Sequence, residues 1–384
     1  MSRPRVVYLG HCARLSGAEI ALSRLLPELT ADVDALVVLG EDGPIVARLR
    51  AAGIRTVVLP LDPAVRDLHR DGLVGALRHV VTLGRYVLRL RRVLHHERAD
   101  VVHTTSLKSS LYGGLAGRLA GVPVVWHVRD RIAPDYLGRP ALVLVRLAAR
   151  VLPTAVVANS AATLATLPGR PGTVVSEVFV PPTRPVTRAA DRGPLVVGLV
   201  GRLAPWKGQE LFLRAFAGAF AGVDTRAVVV GGALFGEDDY ATGLRALARE
   251  LGIAERVEFR GFRDDVWSEL GRLDVLVHCS LIPEPFGQVV VEGMAAGLAV
   301  LAADAGAPAE LIRDGVDGLL VPAADEAALV AALRRVAADP ALRARLGATA
   351  RIRATGFEGG EARTLLLDVY RRVTGAPAGL AAAA

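Results

Sequence analysis

A strand–helix rhythm that starts twice constrains the fold of this chain more than any other feature. The apolar run RVVYLG at 5–10 is followed by an amphipathic segment at 17–29. Continuous apolar runs of this length are typical of parallel strands buried on both faces, and apolar residues three and four positions apart are typical of helices. Because the two patterns alternate, the sequence predicts βαβ units with right-handed crossovers and therefore doubly wound α/β sheets.

The predicted strands fall into two series separated by a proline-rich segment. After 5–10, the first series continues at 35–40, 56–60, 100–106, 122–128 and 155–160. The second series occupies 195–201, 226–232, 256–262, 274–280, 298–304 and 318–322. Between them, VPPTRPVTRAADRGP at 180–194 contains four prolines and has no apolar period, which is typical of a linker.

With 384 residues, the chain is long enough for two domains of ordinary size. We predict a first Rossmann-like domain at 1–182, a linker at 183–192, a second Rossmann-like domain at 193–355, a terminal helix at 356–374 and a disordered tail at 375–384. Ligands of doubly wound domains bind beyond the carboxyl ends of the strands. Two such domains are therefore expected to face each other across a ligand-binding cleft.

The chain carries a formal net charge of +7, which favours anionic partners such as a nucleotide, a nucleic acid or an acidic membrane. Only Lys108 and Lys207 are lysine among 46 basic residues, and this arginine bias is typical of a GC-rich coding sequence. The segment at 70–100 has arginines and histidines at helical spacing. It fits either a helix that covers the sheet or a helix that lies on an acidic membrane.

The sequence features that bear on cellular location favour the cytoplasm. No apolar run approaches the roughly 20 residues of a membrane span, and the N-terminal residues lack the regions of a signal peptide. The two cysteines, Cys12 and Cys279, have no spacing typical of a disulfide framework. We therefore expect a cytoplasmic protein in a reducing compartment.

Two loops that follow predicted strands could bind phosphate. In LGHCARLSGAE at 9–19, Ser16 and Gly17 lie at a predicted helix start, where free N–H groups attract phosphate. A serine N-cap and a turn glycine would explain the same residues. In VGRLAPWKG at 200–208, Arg202 and Lys207 together would clamp a diphosphate, although either alone could be a solvated loop cation.

The stretch EPFGQVVVEG at 284–293 places two carboxylates around a predicted helix start. Pro285 fits a first turn, so the helix is predicted to run from Phe286 to about Ala296. Glu284 then precedes the helix and Glu292 lies about two turns inside it. Because the two are not neighbours on one helical face, the sequence favours neither an acid–base dyad nor a surface salt bridge. Instead, phosphates would bind the free N–H groups near Gly287 and Gln288, with a carboxylate at each end for sugar hydroxyls.

A metal site is not indicated. The acidic triplet at 32–34 precedes a strand, at the wrong end of the sheet, and the acidic run at 237–239 is typical of a charged turn. No histidine, cysteine or carboxylate cluster has ligand spacing, and no Walker or dinucleotide-binding motif occurs. His127 ends a predicted strand and is either a catalytic group facing the cleft or a structural histidine.

The blocks GRLAPWKG, EPFGQVVVEGMAAGLAV and GAPAELIRDGVDGLLVP resemble the C-terminal half of glycosyltransferase family 4, the retaining sugar-nucleotide transferases of GT-B fold. The SGAE at 16–19 and the linker position agree, so the resemblance covers nearly the whole chain. Departures are modest: Ser16 replaces the usual first glycine of its loop, and Ala307 replaces a second glycine. None removes a charged site residue.

The resemblance implies a retaining transferase that moves a sugar from a nucleotide-diphosphate donor to a hydroxyl acceptor, with no metal or other cofactor. It implies that Arg202 and Lys207 hold the donor diphosphate, while Glu284 contacts the donor sugar and Glu292 the ribose. It also implies a terminal helix that crosses back to the first domain. The implied catalytic residues are His127, Glu284, Arg202 and Lys207, and the implied donor-binding residues are Ser16, Gly17, Gly261, Phe262, Phe286, Gly287, Gln288 and Glu292.

Two other functions fit the same architecture. One is a sugar-nucleotide epimerase or hydrolase, which would form product without an acceptor. The other is a non-catalytic membrane-associated binding protein. Such a protein would not need all four of the charged residues Arg202, Lys207, Glu284 and Glu292. The expected partners are a nucleotide sugar, an acceptor that is a glycan, a lipid-linked glycan or a small molecule, and an anionic membrane at the inner face; no nucleic acid partner is expected.

Overall fold

The computed structural model describes residues 3–66, 79–182, 186, 193–234 and 236–375. The chain divides into two compact units, residues 1–178 together with 359–384, and residues 179–358. Val178 packs in the core of the first unit and Phe179 in the core of the second, so the division falls before the predicted limit at 182. The predicted linker, apart from Val186, and the predicted tail from 376 onward lie outside the described residues.

The first unit is built on a seven-stranded parallel sheet in the order β3-β2-β1-β4-β5-β6-β7. Its strands are β1 Arg5–Gly10, β2 Asp34–Leu39, β3 Arg55–Val58, β4 Val101–Thr104, β5 Val124–Val128, β6 Ala155–Ala158 and β7 Thr173–Val174. Its helices are α1 Gly17–Leu29, α2 Pro44–Ala51, α3 Pro63–Arg66, α4 Val80–His96, α5 Leu107–Ala120, α6 Arg139–Val151, α7 Ala161–Leu164 and α15 Gly360–Thr374.

The second unit is built on a six-stranded parallel sheet in the order β10-β9-β8-β11-β12-β13. Its strands are β8 Leu195–Val200, β9 Thr225–Val230, β10 Val257–Gly261, β11 Val275–His278, β12 Ala299–Ala303 and β13 Leu319–Val321. Its helices are α8 Gln209–Ala219, α9 Asp238–Glu250, α10 Val266–Leu270, α11 Gln288–Ala295, α12 Pro308–Leu311, α13 Glu326–Ala338 and α14 Pro340–Ala354.

Each sheet is covered on both faces, which explains the continuous apolar runs of its strands. In the first unit, α1, α2 and α15 pack on one face, and α4, α5 and α6 pack on the other. In the second unit, α8, α9 and α13 cover one face, α11 covers the other, and α14 contributes side chains to both cores. The prediction of two doubly wound parallel sheets is confirmed.

The terminal helix α15 belongs to the first unit, as predicted. Leu366 and Tyr370 are buried on its inner face, and Arg363 pairs with Asp32 at 2.8 Å. Tyr8 of β1 lies beside His103 of β4 in the sheet register, and Tyr370 reaches this pair from the helix. The helix therefore supplies core side chains that the first 178 residues lack.

Within the described ranges, no helix is both long enough and apolar enough to cross a bilayer.

Candidate functional site

Two loops of the second unit meet beyond the carboxyl ends of β8 and β11. The first contains a 3₁₀ turn at Pro205–Lys207 and then Gly208, whose φ of 77° is left-handed. A Cβ on Gly208 would lie 2.0 Å from the carbonyl oxygen of Cys279, at the end of β11, so only glycine fits. This close backbone approach brings Lys207 to the loop that carries Glu284.

The carboxylate of Glu284 is held by three side chains. Lys207 Nζ lies 2.5 Å from Glu284 Oε1, and Glu284 Oε2 lies 2.6 Å from His278 Nε2. The hydroxyl of Ser280 donates to the same Oε2 at 2.7 Å. Sequence reasoning missed His278 and Ser280, although polar residues that end or follow a buried strand mark the ligand-binding edge of such a sheet.

Glu284 is ionised. Burial alone would raise the pKa of its carboxyl, but the Lys207 ammonium and the hydrogen bond from His278 hold that pKa well below its usual range. An ionised carboxylate only accepts hydrogen bonds, so His278 donates through Nε2. The site therefore presents a fixed negative charge beside a fixed positive one.

Arg202 and Trp206 complete the cationic side of this loop. The Lys207 ammonium lies 4.4 Å from the centre of the Trp206 ring, and the Arg202 guanidinium lies 5.8 Å from it. Arg202 also lies 3.6 Å from a carboxylate oxygen of Glu237, the residue just before α9. Both cations predicted to hold a diphosphate thus stand on one loop, each with a carboxylate neighbour.

The helix predicted from Phe286 begins two positions later, at Gln288. Gly287 has a left-handed φ of 95°, which is not helical, so the chain turns there before α11 starts. Phe286 is buried against the core of the unit instead of facing solvent. Glu292 lies inside α11 and is buried, but because the helix begins at Gln288 it lies about one turn inside, not the two turns predicted.

Gly261 and Phe262 lie at the carboxyl end of β10, at the same edge of the sheet. Gly261 accepts a hydrogen bond from the backbone of Gly231, which follows β9. The Phe262 ring is 46% exposed, a large fraction for an aromatic side chain beside a strand end. An exposed ring there is available for stacking on a planar ligand.

In the first unit, Ser16 and Gly17 start α1 as predicted. Ser16 occupies the N-cap position, but its hydroxyl donates to the Glu19 carboxylate and makes no side-chain cap with the helix backbone. A Cβ at Gly17 would meet nothing within 4 Å, so packing does not require glycine at this position.

His11, Cys12 and Glu19 form a group that the sequence spacing did not indicate. One possible ligand atom from each residue lies within 4.8 Å of the other two. The Cys12 thiol donates to Glu19 at 3.3 Å, so these two groups satisfy each other without an ion. In the acidic triplet at 32–34, Asp32 pairs with Arg363 and Asp34 with Arg5.

His127, in β5, is buried and 1% exposed. Its Nδ1 lies 3.1 Å from His103 Nε2, and its Nε2 has no hydrogen-bond partner among the described residues. Burial, together with the nearby Arg129 guanidinium and His103, holds the pKa of His127 well below its usual range. The ring is therefore neutral and carries one proton.

Residues 184–353 match the family model described as glycosyl transferases group 1, and residues 16–184 match a glycosyl transferase 4-like domain. The chain is 34% identical over 198 residues to a D-inositol 3-phosphate glycosyltransferase of Nocardia farcinica, covering 49% of this chain and 44% of that protein. It is 36% identical over 113 residues to a lipopolysaccharide core biosynthesis glycosyltransferase of Rhizobium meliloti, covering 29% and 33%. The chain spans about half the length of the first of these relatives.

Among solved structures, the chain resembles Anabaena HepE in complex with UDP and glucose. The TM-score is 0.81 at 27% identity, covering 97% of this chain and 100% of that chain. The same protein in complex with UDP-glucose gives a TM-score of 0.81 at 26% identity, covering 97% and 99%. The glycosyltransferase WaaG, at 16% identity and a TM-score of 0.70 over 96% and 100% of the two chains, shares the fold.

Proposed function

Because the chain belongs to glycosyltransferase family 4, as its two matched domains and its motifs establish, we propose that it transfers a sugar from a nucleotide-diphosphate donor to a hydroxyl acceptor. HepE, solved with UDP and with UDP-glucose, supports a uridine diphosphate sugar as the donor. The relatives named for inositol phosphate and lipopolysaccharide core support an acceptor in glycan or glycolipid synthesis.

The contact between Lys207 and Glu284 carries this proposal. It places an ammonium and an ionised carboxylate side by side at the carboxyl edge of the sheet. A nucleotide sugar joins a diphosphate directly to a ring of hydroxyls, and these two parts need a cation and a hydrogen-bond acceptor, respectively. Lys207 and Arg202 would bind the diphosphate, and Glu284 would accept hydrogen bonds from the sugar.

The remaining site residues would bind the rest of the donor. The Gly287 and Gln288 backbone at the start of α11, beside Phe286, would receive phosphate oxygens. Glu292 would accept from the ribose, and Gly261 with the exposed ring of Phe262 would border the base. From the first unit, Ser16 and Gly17 would approach the phosphates, and His127 would approach the reacting sugar.

We propose front-side attack with retention of configuration. Both oxygens of Glu284 already accept hydrogen bonds, which makes this carboxylate a weak nucleophile. In the proposed step, the bond from the anomeric carbon to the phosphate oxygen breaks as the acceptor oxygen bonds to that carbon on the same face. The acceptor proton passes to the departing phosphate oxygen, which Lys207 and Arg202 stabilise as charge develops.

We further propose that no metal ion takes part. Two cations, Arg202 and Lys207, stand where the diphosphate charge would lie, and they can offset that charge in place of a divalent ion. The Asp32 and Asp34 carboxylates are paired with arginines.

The outer surface of α4, α5 and α6 supports contact with an anionic membrane at its cytoplasmic face. The three helices contain no Asp or Glu, and their buried sides pack in one cluster, so their outer sides form one surface. Arg85, Arg89, Arg91 and Arg92 are exposed on α4. Large apolar side chains are also exposed: Leu88, Leu115, Leu119, Val143, Leu144, Leu147 and Val151. Exposed apolar side chains together with arginines suit the interface of an acidic bilayer.

Donor screening followed by product analysis tests the function. A uridine diphosphate sugar that binds the folded state should raise the melting temperature, and Glu292→Gln should reduce that shift. Turnover should then require a hydroxyl acceptor. Sugar release or epimerisation at the same rate without acceptor would instead identify a hydrolase or epimerase.

A further inference from the structure

A chain of three hydrogen bonds runs through the buried centre of the first unit and ends at His127. The hydroxyls of Tyr8 and Tyr370 lie 3.0 Å apart, and the Tyr370 hydroxyl lies 2.8 Å from His103 Nδ1. His103 Nε2 lies 3.1 Å from His127 Nδ1. All four side chains are at most 1% exposed.

All four groups are neutral near pH 7. Burial, reinforced by the Arg129 guanidinium, lowers the pKa of His103 to about 3 and holds that of His127 well below its usual range. Burial raises the pKa values of Tyr8 and Tyr370. The four side chains therefore carry four mobile protons, one on each group. Each of the three hydrogen bonds between them uses one proton.

The position of the fourth proton decides in which direction the three hydrogen bonds donate. Suppose that Tyr8 donates to Tyr370, Tyr370 to His103 Nδ1, and His103 Nε2–H to His127 Nδ1. Every proton then has an acceptor except the one on His127 Nε2. In any other arrangement His127 Nε2 is an unpaired acceptor, and a tyrosine O–H in the described core is unpaired as well. Because every unpaired buried polar group is destabilising, the arrangement that leaves only one such group is favoured.

We infer that Tyr370 and His103 are positioning residues that hold His127 in the Nε2–H tautomer, so that His127 offers a hydrogen-bond donor and not a base. The bond made by one ring nitrogen of a histidine fixes the role of the other. Under this assignment, Tyr370 in the C-terminal helix α15 determines which nitrogen of His127, in β5, carries the proton. Resting on the proposed function, it also predicts that His127 donates to an oxygen of the donor sugar.

Nitrogen NMR on protein labelled with ¹⁵N-histidine reads the tautomer directly, without substrate. The pair of signals lost in His127→Gln assigns the residue. We expect the proton on Nε2 in the wild-type protein. A proton on Nδ1 would overturn the inference, whatever the activity of the enzyme.

Two tyrosine variants that each remove one buried hydroxyl test the direction. Tyr370→Phe deprives His103 Nδ1 of its donor and should give a mixture of His127 tautomers. Under the proposed function, kcat should also fall about 5- to 30-fold with a smaller change in the donor KM. Tyr8→Phe removes only a donor to Tyr370, which can still donate to His103, so the His127 tautomer should stay as Nε2–H.

The outcomes separate the two proposals. If Tyr8→Phe shifts the His127 tautomer as much as Tyr370→Phe does, the three hydrogen bonds donate in the opposite direction and the inference is wrong. If the tautomer behaves as expected but no nucleotide sugar is turned over, the positioning assignment holds and the proposed function fails. If the tautomer shifts in Tyr370→Phe while kcat is unchanged, the donor role of His127 is refuted.

Discussion

Lys207 Nζ and Glu284 Oε1 lie 2.5 Å apart, although 77 positions separate the two residues in the sequence. Each group fixes the other, and the Trp206 ring lies 4.4 Å from the same ammonium. The space around Lys207 is therefore bounded by a carboxylate, an aromatic ring and the backbone next to Gly208.

Lys207→Arg should be nearly as damaging as Lys207→Ala. A planar guanidinium is larger than an ammonium and would crowd Trp206 or Arg202, so charge alone should not restore function. Each variant should lose about 2–4 kcal/mol of transition-state stabilisation, measured as kcat/KM. Lys108→Arg, the change at the other lysine of the chain, is the control and should be near neutral. Most of the activity surviving in Lys207→Arg would show that size does not matter.

The three polar site residues should separate kinetically. Glu284→Gln and His127→Ala should lower kcat more than they raise the donor KM, because both are proposed to contact the reacting sugar. Glu292→Gln should mainly raise the donor KM, since a ribose contact is equal in the ground and transition states. Steady-state kinetics with varied donor distinguish these effects. Equal losses of kcat at all three positions would contradict the assignment.

Turnover should not depend on a divalent metal. Activity in EDTA should equal activity with added magnesium or manganese, because Arg202 and Lys207 would supply the positive charge at the diphosphate. Initial rates in matched buffers measure this. A large loss in EDTA that added metal reverses would refute the proposal.

Membrane binding should need both charge and apolar contact. Replacing Arg85, Arg89, Arg91 and Arg92 with glutamine should weaken co-sedimentation with anionic vesicles at least about tenfold. Replacing Leu147 and Val151 with serine should weaken it further, and binding should fall as salt rises. The matched control replaces four exposed arginines of the second unit, Arg245, Arg249, Arg334 and Arg335. If the protein binds neutral vesicles at high salt as strongly as it binds anionic vesicles at low salt, electrostatic attachment through these arginines is excluded.

The stability of the first unit should fall with acid below about pH 6.5. The pKa values of His103 and His127 in the folded protein lie below the ordinary 6.5. The unfolded chain therefore binds protons that the folded chain does not, and the stability present above pH 6.5 is lost toward the folded pKa values. Each histidine should contribute a slope of roughly 1.4 kcal/mol per pH unit.

Urea unfolding at several pH values between 7 and 5 measures this slope. His103→Gln should lower the free energy of unfolding at pH 7. It should also reduce the slope of that free energy against pH by about 1.4 kcal/mol per pH unit, the contribution of one histidine. A variant with the same slope as the wild-type protein would show that His103 does not remain neutral in the folded state.

Most of the fold followed from apolar periodicity, because buried parallel strands are continuous apolar runs. The pattern overestimated strand ends: the strand expected at 274–280 is Val275–His278, since the residues beyond it leave the sheet and enter the site. It missed β7, whose two residues, Thr173–Val174, are too few for any period. The first turn expected at Phe286 failed because Gly287 takes a left-handed conformation.

The site was only partly predictable. Loop position after a strand identified Lys207 and Glu284 separately, but their contact depends on how closely two loops pack, which Gly208 and Cys279 decide. The link between His103 and Tyr370 spans 267 positions. Local patterns carry no information on which distant polar side chains share one buried space.

The assignment of α15 to the first unit has a consequence for biosynthesis. The ribosome must make the whole of residues 179–358 before α15 is available to the first unit. At about 5–20 residues per second, this delay lasts roughly 10–40 s. During that time the apolar face that receives Leu366 and Tyr370 stays uncovered, so the nascent first unit is a natural client for chaperones and a target for proteases until translation nears its end.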